Sequence, residues 1–185
     1  MGYQSYEKMD LQGSVLRIEK SSIYDGDGLR TVVFLKGCPL RCRWCSTPES
    51  HQKGIQTTLD GGITYGAVMT VEEVMAEVRK DIPFYFHSGG GMTVSGGEIL
   101  AQPEFAYYLV SRACWEGIDT CIETSFYGEW SKIEPILKNT NTAFVDLKLM
   151  DSKAHKKYTG VPNDIILNNI RKAGAEKSGM KLIIR

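Results

Sequence analysis

The chain has 185 residues, 42% hydrophobic and 24% charged, a size and balance that suit one soluble globular domain with its own core. Its 22 basic and 22 acidic residues cancel, which excludes a net field that recruits nucleic acid or an anionic membrane; any partner must be recognised locally. Five cysteines make no even disulfide framework, no apolar run approaches the roughly 18 residues of a membrane span, and the first residues lack the basic-then-apolar order of a signal peptide, so the expectation is a reduced, cytoplasmic protein.

In chain order, residues 1–13 are polar and predict a frayed tail, which leaves 14–185 as the folded domain. Ser14 to Lys20 alternates apolar and polar residues like a short strand at an edge or cover. Asp25-Gly26-Asp27-Gly28 is turn chemistry, and Leu29 to Lys36, with the apolar run Thr31 to Leu35, predicts a strand buried on both faces. Residues 51–67 are rich in Gly and Thr without helical period and predict a loop. Thr70 with Glu73 reads as a capping box that opens a helix from Val71 to Lys80, whose Val71, Val74, Met75 and Val78 form a core stripe. Asp81 to His87 holds Pro83 and several aromatics and yields no element. A strand Met92 to Ser95 then ends in Gly96-Gly97-Glu98. Helix Pro103 to Trp115, strand Thr120 to Glu123, helix Glu129 to Lys138, strand Ala143 to Leu147, helix Asn163 to Glu176 and strand Met180 to Arg185 complete the order. This alternation predicts parallel βαβ units, an α/β sheet closing toward a barrel.

Cys38, Cys42 and Cys45, spaced C-x3-C-x2-C, follow the first buried strand. Three thiolates on so short a loop can face one centre, and thiolate-rich sites select zinc or iron–sulfur clusters. Structural zinc wants four ligands, and the nearest fourth donors are His51 and the distant Cys114 and Cys121. A cubane on three cysteines instead keeps one iron free for a substrate, the reading favoured here; a zinc knuckle with His51 and three incidental reduced thiols are the alternatives. Cys114 and Cys121 fall on a predicted helix and strand and read as structural thiols. Gly96-Gly97 after a strand lets backbone approach a ligand, although a tight turn needs the same residues. These stretches, with Glu123-Thr124 and Asp146, all fall at strand C-termini, where loops build the site of such barrels.

The cysteine spacing, with Trp44 just before the last cysteine, resembles the radical S-adenosylmethionine (SAM) enzymes. Asp25 to Arg30 resembles the D-G-x-G-I/L-R stretch of the glycyl-radical-enzyme activating enzymes, and Thr47-Pro48-Glu49-Ser50 their N-P-E-S, with Thr in place of Asn. The resemblance continues through Ser95-Gly96-Gly97-Glu98, Glu123-Thr124 and Asp146-Leu147-Lys148, from about Ser14 to Arg185. Residues 51–67 lack the ferredoxin-like, cysteine-rich insert of many relatives, which points to the single-cluster branch typified by pyruvate formate-lyase activating enzymes.

That resemblance implies a partial (β/α)6 barrel, with the chain stopping in its fifth strand, short of a last strand–helix unit and of a histidine involved in SAM binding. It implies a [4Fe–4S] cluster on Cys38, Cys42 and Cys45, reductive cleavage of SAM, and abstraction of a glycine hydrogen from a partner enzyme by the 5′-deoxyadenosyl radical. Lys148 joins the three cysteines in the catalytic set. Trp44, Ser46, Gly96, Gly97, Glu98, Glu123, Thr124, Asp146, Leu147 and Lys148 are the implied cofactor-binding residues. Asp25, Gly26, Asp27 and Gly28 are expected near the entrance, against the partner's glycine loop. Relatives bind a monovalent cation with an Asp-Thr pair; here Glu123 stands for that Asp, so a cation or a direct salt bridge to SAM is expected. A flavodoxin or ferredoxin is the implied electron donor. Two rival readings are an activator of anaerobic ribonucleotide reductase, which is short but typically reads S-G-G-D and lacks T-P-E-S, and a truncated metal-binding remnant.

Overall fold

The computed structural model describes residues 8–176 and 179–185, so residues 1–7 of the expected tail lie outside the described part. The chain is engaged earlier than expected: Met9 and Leu11 pack against the core, and β1 (Gln12–Ser22) begins before Ser14. It leads through the Asp25–Gly28 turn into β2 (Arg30–Leu35). Residues 51–67, expected as a loop, hold a small hairpin, β3 (Gln56–Thr57) and β4 (Thr64–Tyr65), and the start of β5 (Ala67–Thr70). Strands of two to four residues are too short for alternation to register in sequence.

Thr70 then caps α1 (Val71–Arg79) as expected, its side chain accepting from Glu73 N at 3.1 Å while Glu73 accepts from Thr70 N at 2.7 Å. The unassigned aromatic segment is α2 (Ile82–Ser88), with Pro83 in its first turn, where no N–H is missed, and Gly89 as a left-handed C-terminal cap at φ 70°. There follow β6 (Gly91–Gly96), α3 (Pro103–Trp115), β7 (Asp119–Thr124), α4 (Trp130–Leu137) and β8 (Thr142–Val145). A helix the sequence reading did not foresee, α5 (Ser152–Thr159), precedes α6 (Asp164–Ala175) and β9 (Lys181–Ile184).

The strands form one sheet in the order β5-β1-β2-β6-β7-β8-β9. From β2 to β9 every pairing is parallel, as expected for a partial barrel, and β1 and β5 are added antiparallel at one side. β1 is therefore no edge strand; β5 takes that place. Period-2 alternation sorts the strand residues onto two faces. Val33, Leu35, Met92, Val94, Ile122, Ala143 and Val145 pack with the buried stripes of α1, α3 and α4 as one core. The opposite face carries Arg30, Val32, Phe34, Thr93, Ser95, Cys121, Glu123 and Phe144, a mixed lining in which Arg30, Thr93, Ser95 and Glu123 are the polar members.

The lower end of that face is closed by Arg30, whose side chain is 1% exposed. Its guanidinium donates to Thr93 Oγ1 at 2.7 Å, Met92 O at 2.8 Å, Asp119 Oδ1 at 2.9 Å, and the carbonyls of Asp27 and Asp119 at 3.1 Å. Because β1 runs antiparallel to β2, the Asp25–Gly28 turn lies at the N-terminal end of the parallel strands, opposite to the cysteines and not at their rim. Gly28 is required there, for it sits at φ 70° and a Cβ on it would stand 2.3 Å from Gly90 N. Replacing Arg30 by Met should strand several buried acceptors and cost about 2–4 kcal/mol. Urea unfolding should show a lower midpoint at unchanged slope; an unaltered midpoint would mean that this plug carries no stability.

Candidate functional site

β2 delivers the cysteine loop to the upper end of the sheet, and the loop is pinned on two sides. At its base Gly37 N donates to Ser50 O at 2.7 Å and Cys38 N to His51 O at 3.1 Å, which joins its beginning to its end. The buried Lys36 reinforces that closure, donating to Glu49 O at 2.8 Å and Gln56 Oε1 at 3.1 Å; burial lowers its pKa, with Glu49 opposing. On the far side Arg41 N donates to Thr159 O at 2.6 Å and Arg43 N to Tyr158 O at 3.0 Å. The last carbonyls of α5, orphaned by the helix end, thus hold the loop.

Alternation then divides the loop. Cys38, Leu40, Cys42 and Trp44 line a cavity of about 450 Å³ together with Cys45, Ser46 and Thr47, whereas Arg41 and Arg43 are not in its lining. Burial pushes the Cys38 thiol up to about 12 and raises that of Cys42, against which Lys148 acts. Desolvated thiols ionise only when a cationic centre holds them, which is how thiolates bind metal. Among the described residues no three His, Cys, Asp or Glu side chains converge as a closed ligand set. Three sulfurs of one loop on the wall of so large a cavity fit a group bigger than a single ion, bound from one side.

The facing wall is built from strand ends. Gly96 has φ 128° and a Cβ there would lie 2.2 Å from Leu35 N, while one on Gly97 would lie 2.4 Å from Gly37 O, so both positions exclude a side chain. Gly97 N is spent on Leu35 O at 2.9 Å and Glu98 N on Gly37 O at 2.8 Å, so this turn can offer a ligand carbonyl oxygen, an acceptor suited to an ammonium. Glu98 is 2% exposed, and its carboxylate accepts from Thr124 Oγ1 and Ser125 Oγ at 2.5 Å, Ser125 N at 2.7 Å and Leu100 N at 3.1 Å. Burial raises its pKa, while these four donors favour the anion. Glu98 consequently fastens the β6 turn to the end of β7, and Thr124 is engaged with it.

A row of alternating charge crosses the same wall. Ser95 Oγ donates to Glu123 Oε2 at 2.5 Å, Arg185 reaches Glu123 Oε1 at 2.8 Å and Asp146 Oδ1 at 3.0 Å, and Lys148 Nζ donates to Asp146 Oδ2 at 2.9 Å. Sequence reasoning missed Arg185, as it missed Arg17, Phe34 and Ser125 of the same cavity. The signal for Arg185 was its place: a cation ending a predicted strand beside two strands that end in carboxylates. Its guanidinium bridges the Glu123 and Asp146 carboxylates.

Cys38, Cys42, Trp44, Cys45, Ser46, Gly96, Gly97, Glu98, Glu123, Thr124, Asp146 and Lys148 thus come together around one cavity. Leu147 does not line it; its N–H donates to Arg185 O at 2.9 Å. Of the Asp25–Gly28 turn only Asp25 lines the cavity, its carbonyl accepting from Thr93 Oγ1 at 2.7 Å. Cys114 and Cys121 are outside it.

The family model of the radical SAM superfamily matches residues 32–184. The (2S)-3-sulfopropanediol dehydratase activating enzyme of Klebsiella oxytoca is 39% identical over 223 positions, covering 93% of this chain and 70% of its own. The pyruvate formate-lyase-activating enzyme of Clostridium pasteurianum is 37% identical over 150 positions, 81% of this chain and 58% of its own. The first alignment is longer than the 185 residues available, so that relative carries residues within the matched span that this chain lacks. The clostridial match leaves no room for such an insert. Among solved structures, QueE from Escherichia coli superposes with a TM-score of 0.60 at 12% identity, covering 100% of this chain and 87% of its own, a likeness of fold alone. No helix among the described residues is long and apolar enough to cross a membrane.

Serine at Cys38, Cys42 or Cys45 should abolish iron binding after anaerobic reconstitution, and serine at Cys114 or Cys121 should leave iron per chain unchanged; zinc in place of iron would contradict this reading. Glu98→Gln puts an amide donor against a ring of donors and should cost about 1–3 kcal/mol in thermal or urea unfolding, whereas an unshifted transition would show the clamp to be idle.

Proposed function

Because the chain belongs to the radical SAM superfamily and, within it, to the activating enzymes of glycyl-radical enzymes, we propose that Cys38, Cys42 and Cys45 hold its [4Fe–4S] cluster and that the strand-end row holds SAM beside it. The single observation that carries this assignment is that the three thiols and the row from Ser95 to Lys148 line one cavity. When bound, these two groups supply a one-electron reductive cleavage that yields methionine and a 5′-deoxyadenosyl radical able to take a hydrogen atom from glycine.

The chain's own residues bind, orient and shield. Gly96 and Gly97 let backbone approach the amino-acid end of SAM and present acceptors to its ammonium. Lys148 and Arg185 present cations to its carboxylate, Lys148 as a compact point charge and Arg185 as a planar fork. Both are already set by Asp146 and Glu123, so their positions are fixed before the ligand arrives, which lowers the ordering cost of binding. Trp44, half exposed, and Ser46 frame the opening and keep water from the radical, while the buried Thr124 holds Glu98 beneath it. Asp25 is the member of its turn that an inserted glycine loop can meet, while Gly26, Asp27 and Gly28 shape the lower end.

The match without an insert supports a single cluster; a flavodoxin or ferredoxin as electron donor and a cytoplasmic setting complete the proposal. The relatives support an activating enzyme over the ribonucleotide-reductase activator and the inactive remnant. The test is anaerobic reconstitution followed by SAM cleavage under chemical reductant, with a glycyl-radical EPR signal on a cognate partner. Release of 5′-deoxyadenosine dependent on all three cysteines is expected; its absence in iron-loaded protein would sink the reading. Arg185→Met should raise the KM for SAM by about tenfold or more at unchanged iron content, the worth of one charged hydrogen bond.

A further inference from the structure

We infer that the outer face of the cysteine loop and α5 is the docking surface for an acidic one-electron carrier, which reaches the cluster site across the loop itself. The inference rests on the radical SAM reading and adds the place where the electron arrives. Arg41 and Arg43 alternate with Cys42 and Trp44, so the cysteine and the indole line the cavity while both arginines are exposed on the outside. The helix docked on that outside, α5, exposes Lys153, Lys156 and Lys157. Lys153, Lys156 and Lys157, three and four residues apart, share one face of α5, and Arg43 joins Lys157 over Tyr158, so exposed cations gather here in a chain whose overall charge is zero.

Those charges are not neutralised by the protein. Among the described residues no ion pair joins any of the five to a carboxylate. The acids nearest in sequence are otherwise engaged: Asp151 accepts from Ala154 N at 2.7 Å and Asp164 from Ser152 Oγ at 3.0 Å. Lys156 and Lys157, in the last turn of α5, have an ordinary explanation in the helix dipole. Lys153 has the opposite relation to it, a cation in the first turn, and Arg43 is on another element altogether. A helix-stabilising role accounts for two of the five; complementarity to an anionic partner accounts for all of them.

The arrangement around Tyr158 adds direction. Arg43 and Lys157 each stand 5.3 Å from its ring centroid, and Trp44, the neighbour of Cys45, is 6.3 Å from it. Two of the cations thus flank Tyr158, whose ring neighbours Trp44 of the cysteine loop. A glycine that is to lose a hydrogen atom must enter the cavity, whereas an electron carrier needs only proximity, which the exposed face of the cysteine loop supplies. In the transfer the carrier is oxidised by one electron and the iron–sulfur group reduced by one, with no bond made or broken.

The experiment uses the reconstituted full chain and oxidised flavodoxin as the probe. The triple variant Lys153→Glu, Lys156→Glu, Lys157→Glu should weaken flavodoxin binding by about tenfold or more at low salt, with the difference closing at high salt. Its iron content and dithionite-driven SAM cleavage should match those of the parent protein, and the corresponding triple arginine variant should bind flavodoxin normally. Should the triple reversal lose iron, Lys153→Glu alone, at the far end of α5, is expected to weaken binding in the same salt-dependent way. Unchanged affinity in the reversal variants, a loss that persists at high salt, or impaired binding of the glycyl-radical partner with flavodoxin binding intact would each overturn the inference. Failure of dithionite-driven cleavage in the parent protein would instead overturn the radical SAM reading beneath it.

Discussion

Four backbone hydrogen bonds hold the cysteine loop, and the rest of the site is arranged around the position they fix. Two close its base, from Gly37 to Ser50 and from Cys38 to His51; two tie its crest to the end of α5, from Arg41 to Thr159 and from Arg43 to Tyr158. None involves a cysteine side chain, so the loop is shaped without consuming the groups that are to bind. Alternation then points the sulfurs and Trp44 toward the cavity and the two arginines away from it, which separates a substrate side from a solvent side within a few residues.

The facing wall depends on the same economy of backbone. Glycines at 96 and 97 allow the β6 turn to press against β2 and the loop base, and Glu98 then binds that turn to the end of β7 through three accepted hydrogen bonds, with a fourth from Leu100 N closing its own turn. What is left at the ends of β7, β8 and β9 is a row of paired charges, Glu123, Arg185, Asp146 and Lys148, half-buried and mutually satisfied. Such a row is ordered before ligand arrives and carries two cations beside the acceptors of the glycine turn, a pattern complementary to the ammonium and carboxylate of an amino acid.

The cysteines, the glycine turn and the Asp146–Lys148 pair were legible because each is a local pattern, fixed by spacing along one loop. Arg185 was not, since its role depends on β9 lying next to β8 and on which face it ends, a pairing that no short motif encodes. The Asp25–Gly28 turn directly precedes β2, so chain order alone puts it at that strand's N-terminal end, and Asp25 is its one member that lines the cavity. α5 escaped notice because it is polar almost throughout, with His155 as its one buried large side chain, so it carries little hydrophobic period; its caps, Asp151 and Gly160, were the signals available. The helix mattered more than its sequence suggested, for its last carbonyls hold the cysteine loop.

The central claim is that the three thiols and the strand-end row form one site in which SAM binds next to the cluster. It is tested most directly by the EPR spectrum of the dithionite-reduced, reconstituted protein with and without SAM. A site of the kind described predicts that SAM changes the spectrum of the reduced cluster, and that this change is lost or needs more SAM in Arg185→Met. Identical spectra at SAM concentrations shown by equilibrium dialysis to saturate the protein would place the two groups apart and contradict the account.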